Sequence, residues 1–348
     1  MSRQGLSRTE EVLRELLRKY FSRAEIQLPD DFILREFAFQ SFTTKRYVRH
    51  LSFQSLASLR EYLINETPLN SYYSVALYRD PAASSMEDKG LIGAELLFDI
   101  DVDHIPGCDS QELTLPEGKP VHIISGRCIE LGKEHQLRLI DFLIKDFGFS
   151  EGEITYYFTG NRGFHTVVRP KDTEWLKMIS SARRELVDYI KGNQLDLRLL
   201  LPSRKVNSAD LHLPVKGGWL GRAAALIREG KTLDEIVVDE VVNRFSVEVD
   251  EQVTPDLSRL IRIPNTLNGK SGLPVKVFRN ESELLEFTYG IHLSPFEGES
   301  LVKPLITSKV ISILGEKIQL YPDQLILLPL PVGIFLALNG AVHIERIM

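Results

Sequence analysis

Cysteine is nearly absent from this chain. Cys108 and Cys128 are the only two in 348 residues, which excludes a disulfide scaffold and leaves one bridge at most. Long hydrophobic runs are missing as well. No uncharged apolar stretch reaches the length of a bilayer-spanning helix, and the most apolar tail segment, 325–341, holds two prolines and two glycines, so it is expected in the core. The first eight residues have no apolar run behind them, unlike a secretory leader. A soluble, cytoplasmic protein without membrane association is the expectation. Tandem repeats and low-complexity segments are also lacking, so the chain should be globular throughout. Nor does positive charge dominate: the net charge of -6 carries no global sign of nucleic-acid affinity. A cleft can still be positive on an acidic protein. Residues 259–279 contain Arg259, Arg262, Lys270, Lys276 and Arg279 and no acid; a solvated basic loop is the plainer alternative.

What is present suits a large core. At 43% apolar content the chain is expected to form one large domain with an insertion, or two lobes sharing a cleft. The core is placed at 1–194 and 245–348, with a polar excursion at 103–128 and a small, partly helical insertion at 195–244. Helical spacing of apolar residues predicts helices over 10–20, 55–63, 135–147, 175–190, 221–228 and 332–339. Strands are predicted over 31–39, 95–102, 153–158, 165–168, 245–253, 260–263 and 274–278. Two strands around a tight Gly-Asn-Arg-Gly turn, beside another strand, imply an α+β fold. A mixed or antiparallel sheet flanked by helices is expected, in place of a doubly wound one.

The most informative residues are Asp99 and Asp101. They end the apolar run Leu96-Leu97-Phe98, and a strand's period of two puts both carboxylates on one face, close enough to share divalent ions. Acids scattered on a strand edge are the alternative. Asp250 joins the pair if the 245–253 strand lies beside it, with Asp103 and Glu95 as competitors for the role. Arg162 and His165 flank Gly163, where the chain can bend around a phosphate; an arginine fork and a histidine hydrogen bond suit that ligand, although a plain hairpin with a structural histidine has the same sequence. Arg259 and Arg262, three apart in a β-like segment, should face opposite sides, and Arg262 beside Pro264 is the one expected at the ligand.

In this order, Phe98-Asp99-Ile100-Asp101, Thr159-Gly160-Asn161-Arg162-Gly163-Phe164-His165 and Arg259-Leu260-Ile261-Arg262-Ile263-Pro264 resemble the small catalytic subunit of the archaeal and eukaryotic DNA primase, the archaeal form most. Arg35-Glu36-Phe37, Arg49-His50-Leu51-Ser52-Phe53 and the stretch from Ser74 to Lys89 extend the likeness. The resemblance implies the primase small-subunit fold and template-directed synthesis of short RNA or DNA primers from nucleoside triphosphates on single-stranded DNA. It assigns Asp99, Asp101 and Asp250 to Mg²⁺ or Mn²⁺, and Thr159, Arg162, His165, Arg262 and position 268 to the nucleotide. It also implies a large-subunit partner carrying an iron-sulfur domain.

Two departures stand out. Asn268 occupies a place where the family usually has histidine, and Thr159 one where serine is usual. The family's excursion after the aspartate pair resembles a zinc knuckle. Here Cys108, His122 and Cys128 remain as candidate structural Zn²⁺ ligands, Ser125 replaces a further cysteine, and His104 or Asp109 would have to complete the set. A disulfide or two buried thiols are the alternatives. A primase-like repair polymerase and a non-catalytic nucleic-acid-binding subunit are the competing functional readings.

Overall fold

The computed structural model describes residues 7–118, 120–196, 217–228, 238–322 and 324–348. The helices are α1 (Arg8–Arg23), α2 (Leu56–Glu66), α3 (Gly126–Lys145), α4 (Ser180–Lys191), α5 (Gly218–Arg228), α6 (Val238–Phe245), α7 (Glu281–Glu286) and α8 (Leu330–Leu338). Strands β1 (Phe37–Gln40), β2 (Tyr47–Leu51), β3 (Asn70–Ser74), β4 (Ala76–Tyr78), β5 (Leu91–Ala94) and β6 (Leu96–Asp101) precede the hairpin β7 (Ser110–Thr114) and β8 (Pro120–Ile124). Then come β9 (Ile154–Phe158), β10 (Gly163–Val168), β11 (Leu260–Arg262), β12 (Lys276–Phe278) and β13 (Glu299–Pro304). The tail adds β14 (Ile311–Ile313), β15 (Glu316–Ile318), β16 (Ile326–Pro329) and β17 (Val342–Ile347).

Two four-stranded sheets position the site, in the orders β11-β3-β1-β2 and β12-β9-β10-β6. Every pairing in them is antiparallel, as expected of the α+β class. A buried ionic network spans the two. Glu95 accepts from Arg35, at 2.6 Å, and from Arg169, at 2.8 Å, while Arg169 also reaches the Tyr73 hydroxyl of β3. Glu95, a competitor for metal ligation in the sequence, is thus consumed in holding the sheets together. Its partners satisfy a charge that burial alone would make costly.

The helices follow their apolar spacing. In α1, Leu13, Leu17 and Phe21 recur every fourth residue and are buried, and Ser7 with Glu10 forms a capping box. The tail helix α8 is buried from Leu330 to Leu336, as its apolar content predicts. No helix among the described residues is long and apolar enough to cross a membrane.

The helix predicted over 135–147 starts earlier, at Gly126, and three further elements differ in kind. The strand over 31–39 begins only at Phe37, because Phe32–Leu34 forms a single 3-10 turn closed by Arg35 N–H on the Phe32 carbonyl. The helix over 175–190 is a 3-10 turn, Trp175–Lys177, then an extended link, then α4. The break serves buried Arg183, whose guanidinium donates to the carbonyls of Met178, Ala94 and Glu95. The third, 245–253, bears on the site and is taken up below. Of the proposed insertion, residues 197–216 and 229–237 lie outside the described residues. Its helix α5 packs on α3: Arg222 pairs with Asp141 and Asp146, and Trp219 packs on Phe142.

The excursion after β6 is stapled by a disulfide between Cys108 and Cys128. This corrects the zinc assignment. Both thiolates are spent on each other, and His122 lies exposed on β8, with Glu112 opposite it across the hairpin. The bridge ties the segment following Asp101 to the first turn of α3, closing a loop with a sequence separation of 20. Loop closure of that length removes about 3 kcal/mol of unfolded-state entropy. Reduction, or Cys108→Ser, is therefore expected to lower the stability read by chemical denaturation by about that amount. Added zinc should restore none of it; recovery on zinc addition to the reduced protein would revive the knuckle.

Candidate active site

β6 is apolar inward and acidic at its end. Leu96, Leu97, Phe98 and Ile100 are buried, whereas Asp99 and Asp101 are half-buried on one face, as the period of two requires. The neighbouring strand β10 sets His165 directly opposite Asp99 and Gly163 opposite Asp101. The His165 Nε2 atom comes 3.4 Å from Asp99 Oδ1, and its ring meets Tyr157 edge-on. His165 Nδ1 is buried with no hydrogen-bond partner.

The turn between β9 and β10 is held from outside. Gly160 has φ +83°, and a Cβ there would stand 2.8 Å from the Leu273 carbonyl, so conformation and space both require glycine. Thr159 N–H closes the turn on the Gly163 carbonyl at 2.9 Å. Asn268 is buried and spends its amide on this turn, donating to the Thr159 carbonyl at 3.0 Å while its Oδ1 accepts from Lys270 N–H. Ser271 donates to the Gly160 carbonyl. The turn thereby presents Arg162, which pairs with Asp103 at 2.6 Å.

The carboxylates feel opposite environments. Burial raises Asp99, but the charge and hydrogen bond of His165, with Arg259 and Arg262 behind them, hold it below the ordinary carboxylate range. Burial and the neighbouring Asp99 charge push Asp101 up to about 6, against the attraction of Arg162. Lys270 faces the same ground: burial and then the Arg162 and Arg262 charges lower it, while Asp101 and Asp103 act the other way.

Asp250 arrives by irregular backbone. The predicted 245–253 strand is absent; Phe245 ends α6 and the chain then runs without regular structure to Asp250. It covers the open edge of β6, where Asp250 N–H donates to the Asp99 carbonyl at 2.8 Å and Thr254 Oγ1 to the Leu97 carbonyl at 2.7 Å. Two contacts satisfy the edge without a full ladder. The Asp250 carboxylate accepts from Gln252 N–H. Among the described residues no three His, Cys, Asp or Glu side chains converge on a single ion position.

His135 of α3 anchors this segment, its Nδ1 accepting Glu248 N–H at 3.0 Å. Burial, then the Arg138 charge, lowers His135 from 6.5 to about 4. The folded protein thus keeps it neutral where the unfolded chain takes a proton, so stability falls as pH drops from about 6.5 to about 4 and loses nothing further to this group below that. Denaturation between pH 7.5 and 4 should reveal a decline on the order of 3 kcal/mol that His135→Gln lacks. Equal slopes in both proteins would remove His135 from this role.

A cavity of about 410 Å³ opens between the sheets, lined by Asp99, His165, Arg49, Arg259, Arg262 and Tyr72 among others. Arg259 and Arg262 both reach it, contrary to the opposite-face expectation, because β11 starts only at Leu260 and Arg259 lies in the preceding turn. Arg262 stacks over Tyr72, with its guanidinium carbon 5.0 Å from the ring centre, and donates to Asn70. Arg49 is held by the buried carboxylate of Glu36 at 2.9 Å. Tyr72 and Lys270 were not singled out from sequence, the basic run 259–279 being the only signal for Lys270, and Arg259 was passed over in favour of Arg262.

A paired-acid strand facing a cluster of arginines is shared chemistry, and comparison supplies the lineage. The family model described as DNA primase small subunit matches residues 98–281. The DNA primase small subunit PriS of Hyperthermus butylicus is 35% identical over 372 residues, covering 97% of this chain and 98% of that protein. PriS of Sulfolobus acidocaldarius is 37% identical, covering 98% of this chain and 96% of its own length. The chain belongs to the DNA primase small-subunit family, in its archaeal form. It is therefore an enzyme of the DNA primase class. Among solved structures, the polymerase domain from Mycobacterium tuberculosis ligase D in complex with DNA superposes with a TM-score of 0.41 at 12% identity, covering 82% of this chain and 90% of that one. That likeness is too distant to bear on function.

In this primase small subunit, the donor set fits a hard divalent cation. Asp99 and Asp101 share one face, and the rise of Asp101 to about 6, partly from its neighbour's charge, marks negative charge that a cation would relieve. Mg²⁺ commonly takes one or two carboxylates and completes its shell with water and substrate phosphate, so two aspartates suffice to seat it.

Proposed function

We propose that this chain joins nucleoside triphosphates into short RNA or DNA primers on a single-stranded DNA template, in the cytoplasm, as the catalytic partner of a large primase subunit with an iron-sulfur domain. The observation that carries the reading is the strand register that sets His165 against the Asp99–Asp101 face, with the Arg262 charge acting on Asp99 and the Arg162 charge on Asp101. A terminal 3′-hydroxyl attacks the α-phosphorus of the incoming nucleotide, its proton passes to solvent, and pyrophosphate departs. Asp99 and Asp101, with Asp250 beside them, would hold a divalent cation, Mg²⁺ or Mn²⁺, which when bound would supply Lewis-acid charge to the oxygens that gain negative charge.

The protein's own groups do the rest. Arg162, Arg262 and Lys270 bring cationic donors to the triphosphate, where charge-assisted hydrogen bonds are strongest. His165 holds Asp99 ionised and offers a ring nitrogen toward the same space. Thr159 and Asn268 serve through their turns: Thr159 closes the Arg162 turn and Asn268 braces it. Histidine at position 268 would thus have to replace a buried amide donor before it could meet phosphate.

Primer synthesis on single-stranded DNA with Mg²⁺ or Mn²⁺, with and without the large subunit, tests the reading. Products from free nucleotides are expected, with initiation improved by the partner. No incorporation despite tight template binding would point to a non-catalytic subunit, and extension of annealed ends alone to a repair polymerase.

A further inference from the structure

We propose that Asn70 is a positioning residue that fixes two of the cationic side chains of the nucleotide site, Arg262 and Lys270, in one geometry. The proposal rests on the reading of Arg262 as a phosphate contact. Asn70 opens β3 and is almost fully buried. Its Oδ1 atom accepts from two directions, from Arg262 Nη1 on the neighbouring strand β11 and from Gly269 N–H, at 3.0 Å, in the loop that carries Lys270. Its amide donates to Gln40 Oε1 at 2.5 Å, and Gln40 in turn donates to the Lys45 carbonyl at 3.0 Å. With its donor side occupied by Gln40, the amide cannot flip without losing both acceptor contacts, so the oxygen is aimed by the network.

The close seating of the loop supports the same role. A Cβ at Gly269 would stand 2.7 Å from Leu69 Cβ and 2.8 Å from the Leu69 carbonyl, so the backbone lies directly on the Leu69–Asn70 step. From that seat, Asn268 braces the Arg162 turn and Lys270 feels the charges of Asp101 and Asp103. Asn70 therefore joins the Arg262 side of the cleft to the Lys270 side through a single oxygen. An arginine held only by stacking on Tyr72 would sample other rotamers, and each would have to be given up when nucleotide binds.

Equilibrium titration with ATP and Mg²⁺ on Asn70→Ala, Arg262→Ala and the double variant tests this, with thermal unfolding measured alongside. Asn70→Ala is expected to weaken ATP by about tenfold while turnover at saturating nucleotide stays near that of the native protein. Asn70→Asp, which keeps an oxygen toward both donors, should recover most of the loss. In the Arg262→Ala background the Asn70 substitution should cost only about threefold, the part that acts through Gly269. Should the alanine variant not fold, Asn70→Ser, too short for either donor, takes its place. Equal losses in both backgrounds, or a lowered unfolding midpoint with unchanged ATP affinity, would overturn the proposal and leave the phosphate reading standing. ATP binding unaffected by Arg262→Ala would remove the phosphate reading, and this proposal with it.

Discussion

Asp101→Asn is expected to lower the turnover of primer synthesis by about a thousandfold, while single-stranded template binding changes little. The substitution preserves shape and hydrogen-bonding capacity and removes one negative charge from the face shared with Asp99. Asp101 makes the sharper test of the two because its environment gives it no ion-pair partner of the kind His165 gives Asp99. It also predicts a pH signature. Since Asp101 stays protonated up to about pH 6, divalent-ion affinity should fall as pH drops through that value, and the asparagine variant should show a flatter profile. Titration with Mn²⁺ across pH 5 to 8 reads this directly. Near-native incorporation by the purified variant would end the assignment.

Arg162→Ala is expected to raise the nucleotide concentration for half-maximal rate by about a hundredfold, again with template affinity nearly unchanged. The guanidinium rests on Asp103 at 2.6 Å, which raises a structural alternative, that Arg162 merely secures the segment after β6. Asp103→Asn separates the two. If the ion pair is the whole role of Arg162, both substitutions should weaken nucleotide binding equally and lower stability together. The phosphate role predicts a much larger effect from Arg162, with Asp103→Asn freeing its partner for the ligand.

Much of this site was legible because regular strands carry it. A period of two placed Asp99 and Asp101 together, and the Gly-Asn-Arg-Gly turn announced the hairpin whose register sets His165 against Asp99. Asp250 was placed beside the pair on a predicted strand that is absent, and otherwise by resemblance. It is delivered by backbone that belongs to no strand, and its place depends on two hydrogen bonds to the open edge of β6, which no local pattern encodes. Arg259 was assigned to the wrong side because the alternation of faces was carried back one residue beyond the strand that begins at Leu260; outside a strand that alternation has no force. The pairing of Cys108 with Cys128 depends on how the excursion folds back onto α3, a distance that spacing alone cannot supply. Asn70 looks like an ordinary polar residue in sequence, and Asn268 stood out only by resemblance, since the importance of a buried amide lies in partners 192 and 109 positions away.

Asp99 and Asp101 are proposed to seat jointly the divalent ion that serves nucleotidyl transfer. Anomalous diffraction from crystals grown with Mn²⁺ and a non-hydrolysable nucleoside triphosphate tests it most directly. A manganese peak is expected about 2.1 Å from carboxylate oxygens of both residues, with triphosphate oxygens on the same ion and Arg162 or Arg262 on the phosphates. A fully occupied manganese site that bypasses Asp99 and Asp101, or a triphosphate bound away from them, would contradict it.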